Sequence, residues 1–273
     1  MNDETSKAPD MLKEIVALKN YISINQLNNS CSYGGNQGWF HEIVVDVNKE
    51  KAYHKGLRIK KYGCGLISAT DVLLYINQNN AEWGETTLKQ NQVDMSEYKT
   101  LVAEFDRHYF RARRNLGVLG PFLSLGFKKY IRNHKLRLKI KWGTFYSSTT
   151  IYKKIVLMLK KDVPVIISIG PSRFGDKSRG IALYVLKPNS ESMTSNEGNQ
   201  DKVIYEAYKT IKGHYVVVTG IFLNEHNKHM MLRISSWGKL YYMDWEEYRN
   251  YHLHHSMPFT SSILTVEKVV VKS

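Results

Sequence analysis

Four stretches of the chain repeat apolar residues at spacings of three and four, which is the pattern of an amphipathic helix. They are residues 11–22, the stretch that begins at Cys64, residues 97–110 and residues 151–159. In the second stretch the apolar stripe consists of Leu66, Ala69, Leu73 and Ile76. The pattern therefore predicts four helices and puts Cys64 in the first turn of the second one.

Runs of β-branched and aromatic residues predict strands in the second half of the chain, which becomes rich in strands near Leu136. The runs are residues 163–169, 180–186, 215–222 and 230–234, and a further strand is predicted over residues 41–47. The polar residues 224–228 lie between the third and fourth runs, so these two predict a β-hairpin. If its turn centres near residues 225 and 226, His214 lies opposite Trp237 and on the same face as Ser235.

Length and composition favour one domain. A chain of 273 residues with 42% hydrophobic content can bury a substantial core but is short for two domains. Residues 1–10 are predicted to be a flexible N-terminus, and residues 187–202, rich in Ser, Asn and Gly, a loop. The sequence shows neither a signal peptide nor an apolar stretch of about 18 residues. Since Cys31 and Cys64 are the only cysteines, we expect a reducing compartment, the cytoplasm.

Two segments far apart in the chain carry the residue types of a nucleophilic site. Cys64 stands between Gly63 and Gly65 at a predicted helix start, where unpaired N–H groups and the positive end of the helix dipole favour a thiolate. His214 opens a predicted strand, and its imidazole could take the proton of the thiol. The alternatives are a buried structural cysteine beside a structural histidine, or a disulfide between Cys31 and Cys64.

Three motifs together resemble the papain-like cysteine peptidases. They are Gly-Cys-Gly at a helix start (residues 63–65), Gly-His at a strand start (213–214) and Ser-Trp-Gly after the next strand (236–238). The similarity is closest to the bacterial bacteriocin-leader, or double-glycine, peptidases and covers residues 58–250. It implies an α+β papain-like fold over residues 11–273, in which a helical first half packs on an antiparallel sheet. This order of elements agrees with the pattern of helices and strands.

The resemblance also implies roles for individual residues. Cys64 would attack a carbonyl carbon, and His214 would be the general base. Ser235 stands where the family has the Asn of Asn-Ser-Trp-Gly, so it would orient His214 as an uncharged acceptor. The family's oxyanion-binding Gln is replaced by Arg58, and Gln37, in an Asn-Gln-Gly segment, is either its substitute or part of an ordinary polar turn. We therefore expect a cysteine peptidase or related thiol acyl-transfer enzyme for a peptide or protein substrate, without metal or cofactor.

A basic segment supplies the competing hypothesis. Residues 107–141 contain eleven Lys or Arg and no Asp or Glu, in a chain whose net charge is +14. Arg137, Lys139 and Lys141 alternate with apolar residues, which puts the cations on one face of a strand. That face could bind an anionic partner such as nucleic acid, although a solvated charged face is the simpler interpretation. The alternative function is a catalytically inactive papain-like domain that binds a peptide or an anionic partner.

Overall fold

The computed structural model describes residues 12–27, 30–40, 47–79, 93–173, 180–188, 203–257 and 259–269. These residues form a mixed α+β structure in which helices pack on a large antiparallel sheet. The expected flexible N-terminus (1–10), most of the strand predicted over residues 41–47 and most of the loop predicted over residues 187–202 lie outside the described residues. Val47, at the end of that strand prediction, begins a helix instead.

Twelve strands occur in the described part of the chain. They are β1 (Leu12–Ala17), β2 (Ser23–Asn25), β3 (Cys31–Tyr33), β4 (Val93–Asp94), β5 (Leu138–Gly143), β6 (Val165–Ile169), β7 (Ile181–Pro188), β8 (Val203–Ile211), β9 (His214–Asn224), β10 (Met230–Ser236), β11 (Lys239–Asp244) and β12 (Ser262–Lys268). The main sheet has the order β5-β12-β6-β9-β10-β11-β7-β8, and β1 pairs with the second half of β9. A small second sheet has the order β3-β2-β4. The predicted hairpin is β9 and β10, and it lies at the centre of the main sheet.

The helices are α1 (Val47–Tyr62), α2 (Cys64–Asn79), α3 (Met95–His108), α4 (Gly120–Asn133), α5 (Ser148–Leu159) and α6 (Trp245–Asn250). A 3₁₀ turn (Gln37–Trp39) and a π-helical turn (Tyr251–His255) complete them. The predictions of α2, α3 and α5 are confirmed. The sequence did not predict α1, which is largely polar, or α4, whose first turn contains a proline. Among the described residues, no helix is long and apolar enough to cross a bilayer.

The predicted helix over residues 11–22 is wrong, because this stretch contains β1. The strand runs antiparallel to β9, from Leu12 opposite Asn224 to Ala17 opposite Gly220. Leu12 is buried whereas Ile15 is 44% exposed, so the helical spacing does not describe the buried face. Strand β6 covers only residues 214–218 of β9, so residues 220–224 can pair with β1. This pairing supplies a backbone partner for every second residue of β1, and the tertiary contact outweighs a weak local preference for helix.

Helix α2 lies in the core and carries Cys64 as its first residue. Every side chain from residue 65 to residue 77 is buried, which is typical of a helix covered on all sides. Gly63 alone separates α2 from α1: its N–H donates to the Ile59 carbonyl at 2.7 Å and its carbonyl accepts from Ile67 at 2.9 Å. A Cβ atom at Gly63 would overlap the Ile59 carbonyl, so this sharp junction requires glycine. The junction determines where the thiol lies.

The basic strand is β5, at one edge of the main sheet. Leu138 and Ile140 are buried whereas Lys139 and Lys141 are exposed, as the alternation predicted. The Lys141 ammonium lies 2.6 Å from the Glu267 carboxylate on the neighbouring strand. Charged side chains on an edge strand also hinder pairing with a second chain. The cations therefore have a structural explanation that needs no anionic partner.

Candidate active site

One pocket brings together residues from α2, the 3₁₀ turn and strands β9 and β10. Its lining consists of Gly35, Gln37, Cys64, Ile67, Ser68, Asp71, His214, Tyr215, Ser235, Ser236 and Trp237. All four residues that the sequence predicts for a catalytic site belong to this set: Cys64, His214, Ser235 and Gln37. The fold therefore brings a thiol, an imidazole and a side-chain amide from three distant parts of the chain to one place.

Cys64 is half-buried, and its environment acts on the thiol in two opposing ways. Burial raises the pKa of the thiol, and the backbone N–H groups of Tyr215, Gly65 and Cys64 itself lower it by a smaller amount. The net pKa is above the usual value, so the neutral thiol is favoured at neutral pH. The predicted resting thiolate is therefore not supported, because the pocket walls remove water that would solvate the charge. Both Cys31 and Cys64 are free, which excludes a disulfide between them in this structure.

His214 is held in place from two sides. Its Nε2 atom lies 2.8 Å from the Ser236 hydroxyl, and its ring stacks on Trp237 with centroids 4.5 Å apart and planes at 21°. Burial, assisted by the nearby Lys209 ammonium, lowers the pKa of His214 to about 3. The imidazole is therefore neutral at physiological pH. In the tautomer whose Nε2–H donates to Ser236, the lone pair is on Nδ1, which is then the nitrogen that can accept a proton.

Ser236 contacts His214, so the prediction that Ser235 does so is wrong. The Ser235 hydroxyl instead donates to the Tyr33 carbonyl at 2.8 Å. The cause is a β-bulge between residues 233 and 234, after which Ser235 lies opposite Val217. In this register Ser236 shares a face with His214, and a shift of one residue exchanges the two faces of a strand. The sequence contains no signal for the bulge.

Gln37 lies in a loop of residues 34–39, called here the Gln37 loop. The Asn36 side chain caps its 3₁₀ turn by accepting from the Gly38 N–H at 2.7 Å. The Gln37 amide nitrogen donates to the Lys60 carbonyl, in the last turn of α1, at 2.9 Å. An amide NH₂ group has two hydrogens, so this bond orients the group while a second hydrogen can serve a ligand in the pocket. Gln37 therefore lies near Cys64 and is held by α1, the helix that precedes Cys64.

Arg58, which occupies the position of the family's usual Gln, has a structural role. One guanidinium nitrogen lies 2.6 Å from the Asp106 carboxylate and another donates to the Ala112 carbonyl. These bonds tie α1 to the end of α3 and to the segment that follows it. Arg58 does not line the pocket that contains Cys64.

Asp71 is the pocket residue that the sequence analysis missed. It lies on α2, is 2% exposed, and accepts hydrogen bonds from the Tyr98 hydroxyl at 2.6 Å and from the Gly35 N–H. Burial raises the pKa of Asp71 to about 7, although its donors, led by the Tyr98 hydroxyl, partly oppose this. The only sequence signal is a carboxylate among the apolar residues of a core helix. Such a group needs buried donors.

The described residues contain no group of three or more His, Cys, Asp or Glu side chains that could hold a metal ion. No family model matches this chain, and no curated protein matches it. The candidate site therefore depends on the geometry of the pocket and on the chemistry of its side chains.

The first prediction concerns the resting ionisation of Cys64. We expect its alkylation by iodoacetamide, followed against pH by peptide mass spectrometry, to give an apparent pKa above the usual value of about 8.5, because burial disfavours the thiolate. Cys31, which is exposed, reports on the reagent in the same sample. An apparent pKa well below about 8.5 that rises in His214→Ala would reveal a preformed thiolate–imidazolium pair and contradict the neutral resting state.

Proposed function

We propose that the protein is a papain-like cysteine peptidase, or a related thiol acyl-transfer enzyme, that acts on peptide or amide bonds. One observation carries this proposal: Cys64, His214 and Gln37 line a single pocket. Cys64 and His214 have the positions that the papain-like resemblance implies, with the thiol at a helix start and the imidazole at a strand start. A reduced thiol is required, so localisation in the cytoplasm is part of the proposal.

The reaction starts from two neutral groups. As the Cys64 sulfur attacks the carbonyl carbon of the substrate, its proton passes to Nδ1 of His214. A carbon–sulfur bond forms, and the electrons of the carbonyl π bond move onto oxygen. The hydrogen bond between Nε2 and the Ser236 hydroxyl leaves Nδ1 as the nitrogen that can accept the proton. A neutral histidine is the form that a general base must have, so its low pKa is compatible with this step.

The negative oxygen then needs hydrogen-bond donors. The backbone N–H of Cys64 belongs to the first turn of α2, where N–H groups have no partner within the helix. Together with the Gln37 amide it would bind the oxyanion. The imidazolium of His214 next protonates the leaving amine, which breaks the carbon–nitrogen bond and leaves a thioester on Cys64. Attack by water completes hydrolysis, and attack by a second amine completes ligation.

Ser236 distinguishes this site from one with a carboxylate in the third position. A hydroxyl can accept a hydrogen bond from Nε2–H and so select the tautomer, but it has no charge that would stabilise the imidazolium. The charged intermediate is therefore less stabilised here than beside an aspartate. We expect slow turnover for this reason.

The second candidate is a catalytically inactive papain-like domain that binds a peptide or an anionic partner. The raised pKa of Cys64 favours it, because a neutral thiol is a poor nucleophile. The basic face of Arg137, Lys139 and Lys141 supports it less, since Lys139 and Lys141 lie on an edge strand and Lys141 pairs with Glu267. The two candidates differ in whether His214 increases the reactivity of Cys64 towards a carbonyl.

The second prediction uses acyl transfer from p-nitrophenyl acetate, with the adduct on each cysteine quantified by mass spectrometry. We expect His214→Ala to slow acylation of Cys64 by about 10²–10⁴-fold, the usual contribution of a general base. Gln37→Ala should slow it by about 10²–10³-fold through loss of an oxyanion donor. Acylation of Cys31 is the internal control and should not change. Equal rates at Cys64 in the wild type and in His214→Ala would favour the inactive binding domain.

The third prediction separates the two adjacent serines. In Ser236→Ala we expect the ¹⁵N chemical shifts of the His214 ring to report a mixture of tautomers, because the hydrogen bond between Nε2 and the Ser236 hydroxyl is lost. Acylation of Cys64 should slow by about five- to tenfold, the equivalent of one neutral hydrogen bond of about 1 kcal/mol. Ser235→Ala is the matched control and should leave the tautomer unchanged. A tautomer change in Ser235→Ala alone would refute the register described above.

A further inference from the structure

Asp71 is a buried carboxyl group that the proposed mechanism does not use. It follows Cys64 by seven residues on α2, which is close to two helical turns, so both residues lie on nearly the same face about 10 Å apart along the axis. Both line the same pocket. A carboxyl group this deep in a core helix has a large desolvation cost, and its hydrogen-bond partners therefore indicate its role.

The partners of Asp71 connect the Gln37 loop to two other elements. Both carboxylate oxygens accept from the Gly35 N–H, at 3.1 and 3.0 Å. The Tyr98 hydroxyl, on α3, donates to Oδ1 at 2.6 Å, and the Tyr21 hydroxyl, just before β2, donates to Oδ2 at 3.4 Å. The bond to Gly35 joins the loop directly to the helix that carries Cys64.

The Gln37 loop fits closely against these groups. A Cβ atom at Gly35 would overlap the Tyr98 hydroxyl, and one at Gly34 would lie 2.7 Å from Asp71 Oδ2. Gly34 also has a φ of +79°, in the left-handed region that favours glycine. The backbone of the loop therefore approaches Asp71 and Tyr98 at a distance that no side chain permits.

A second set of contacts holds the other side of the loop. The Ser235 hydroxyl donates to the Tyr33 carbonyl at 2.8 Å, immediately before the loop. At its far end Trp39 packs edge-on against Tyr98, with ring centroids 5.8 Å apart. The loop thus lies between β10 on one side and α2 with α3 on the other. Ser235, which does not orient His214, contributes to this support instead.

We propose that Asp71 is a positioning residue that fixes the Gln37 loop relative to Cys64 through its bonds to Gly35 and Tyr98. The inference rests on the proposed function, because a fixed loop matters only if it holds the Gln37 amide at the correct distance from the oxyanion. Since Asp71 and Cys64 belong to one buried helix, the loop is aligned with the element that carries the nucleophile. An ionised carboxylate accepts these bonds more strongly than a protonated one.

The ionisation of Asp71 makes this role dependent on pH. Cys64 and His214 line the same pocket as Asp71, and the titratable groups that donate hydrogen bonds to its carboxylate are Tyr21 and Tyr98. Burial raises the pKa of both hydroxyls well above 10. Neither can account for a transition near neutral pH. The pKa of Asp71 is about 7, so the loop should be held more firmly as the pH rises through this value.

The fourth prediction tests the contact with the variants Asp71→Asn and Tyr98→Phe. In both we expect hydrogen–deuterium exchange at Gly35 to increase at least tenfold while exchange in α2 stays unchanged. Asp71→Asn removes a carboxylate oxygen that accepts from the Gly35 N–H, and Tyr98→Phe removes the hydroxyl that holds the Asp71 carboxylate in place. Tyr130→Phe is the matched control, since Tyr130 is also buried but its hydroxyl contacts Asn77 instead of the loop. Tyr98→Phe removes a single hydroxyl and carries the test if Asp71→Asn does not fold.

Acylation of Cys64 by p-nitrophenyl acetate against pH gives the second measurement. The wild-type rate should show an inflection near pH 7 that is absent in Asp71→Asn and moves to higher pH in Tyr98→Phe, where a donor that lowers the pKa of Asp71 is lost. Unchanged exchange at Gly35 in both variants, or an unchanged inflection in folded Asp71→Asn, overturns the proposal. Increased exchange at Gly35 without acylation of Cys64 in any protein supports the loop contact and overturns the enzymatic function.

Discussion

The close junction between α1 and α2 at Gly63 is the constraint on which the candidate site depends. Because a single residue separates the end of α1 from the start of α2, the first turn of this buried helix lies at the pocket and not in solvent. The end of α1 also offers the Lys60 carbonyl to the Gln37 amide. One glycine thus brings together the proposed nucleophile, the backbone N–H groups of the first turn of α2 and the Lys60 carbonyl that orients the Gln37 amide.

Burial has opposite effects on the two halves of the proposed catalytic pair. It raises the pKa of Cys64 and lowers that of His214 to about 3, so both groups are neutral before substrate binds. Burial in the pocket makes the separation of charge costly at rest, but it also strengthens hydrogen bonds to charge that develops during the reaction. The site is consistent with activation by general-base catalysis during attack. It is less consistent with a thiolate that is formed before substrate binds, which the position of Cys64 at a helix start suggested.

The spacing of apolar residues was sufficient to predict those helices and hairpins that are formed by neighbouring residues in the chain. The apolar stripe after Cys64 predicted α2, and the two apolar runs around residues 224–228 predicted the hairpin that carries His214. The resemblance to papain-like peptidases then brought Gln37 into consideration, and the structure has it in the same pocket as Cys64.

The errors have causes that lie outside any short window of sequence. β1 forms because β6 leaves residues 220–224 of β9 unpaired on one side, and Ser236 replaces Ser235 because of a bulge between residues 233 and 234. Asp71 was missed because its donors, Gly35 and Tyr98, come from distant parts of the chain. In each case the deciding contact is tertiary, so spacing alone could not show it.

The most direct measurement is a crystal structure of the protein with a peptide aldehyde, which a thiol attacks to form a stable tetrahedral hemithioacetal. We expect a covalent bond to Cys64, with the aldehyde-derived oxygen within about 2.7–3.1 Å of the Gln37 amide nitrogen and the Cys64 backbone nitrogen. His214 Nδ1 should lie beside the sulfur. Absence of an adduct under conditions that saturate papain-like peptidases, or an oxygen directed away from Gln37 and Cys64 N–H, would contradict it.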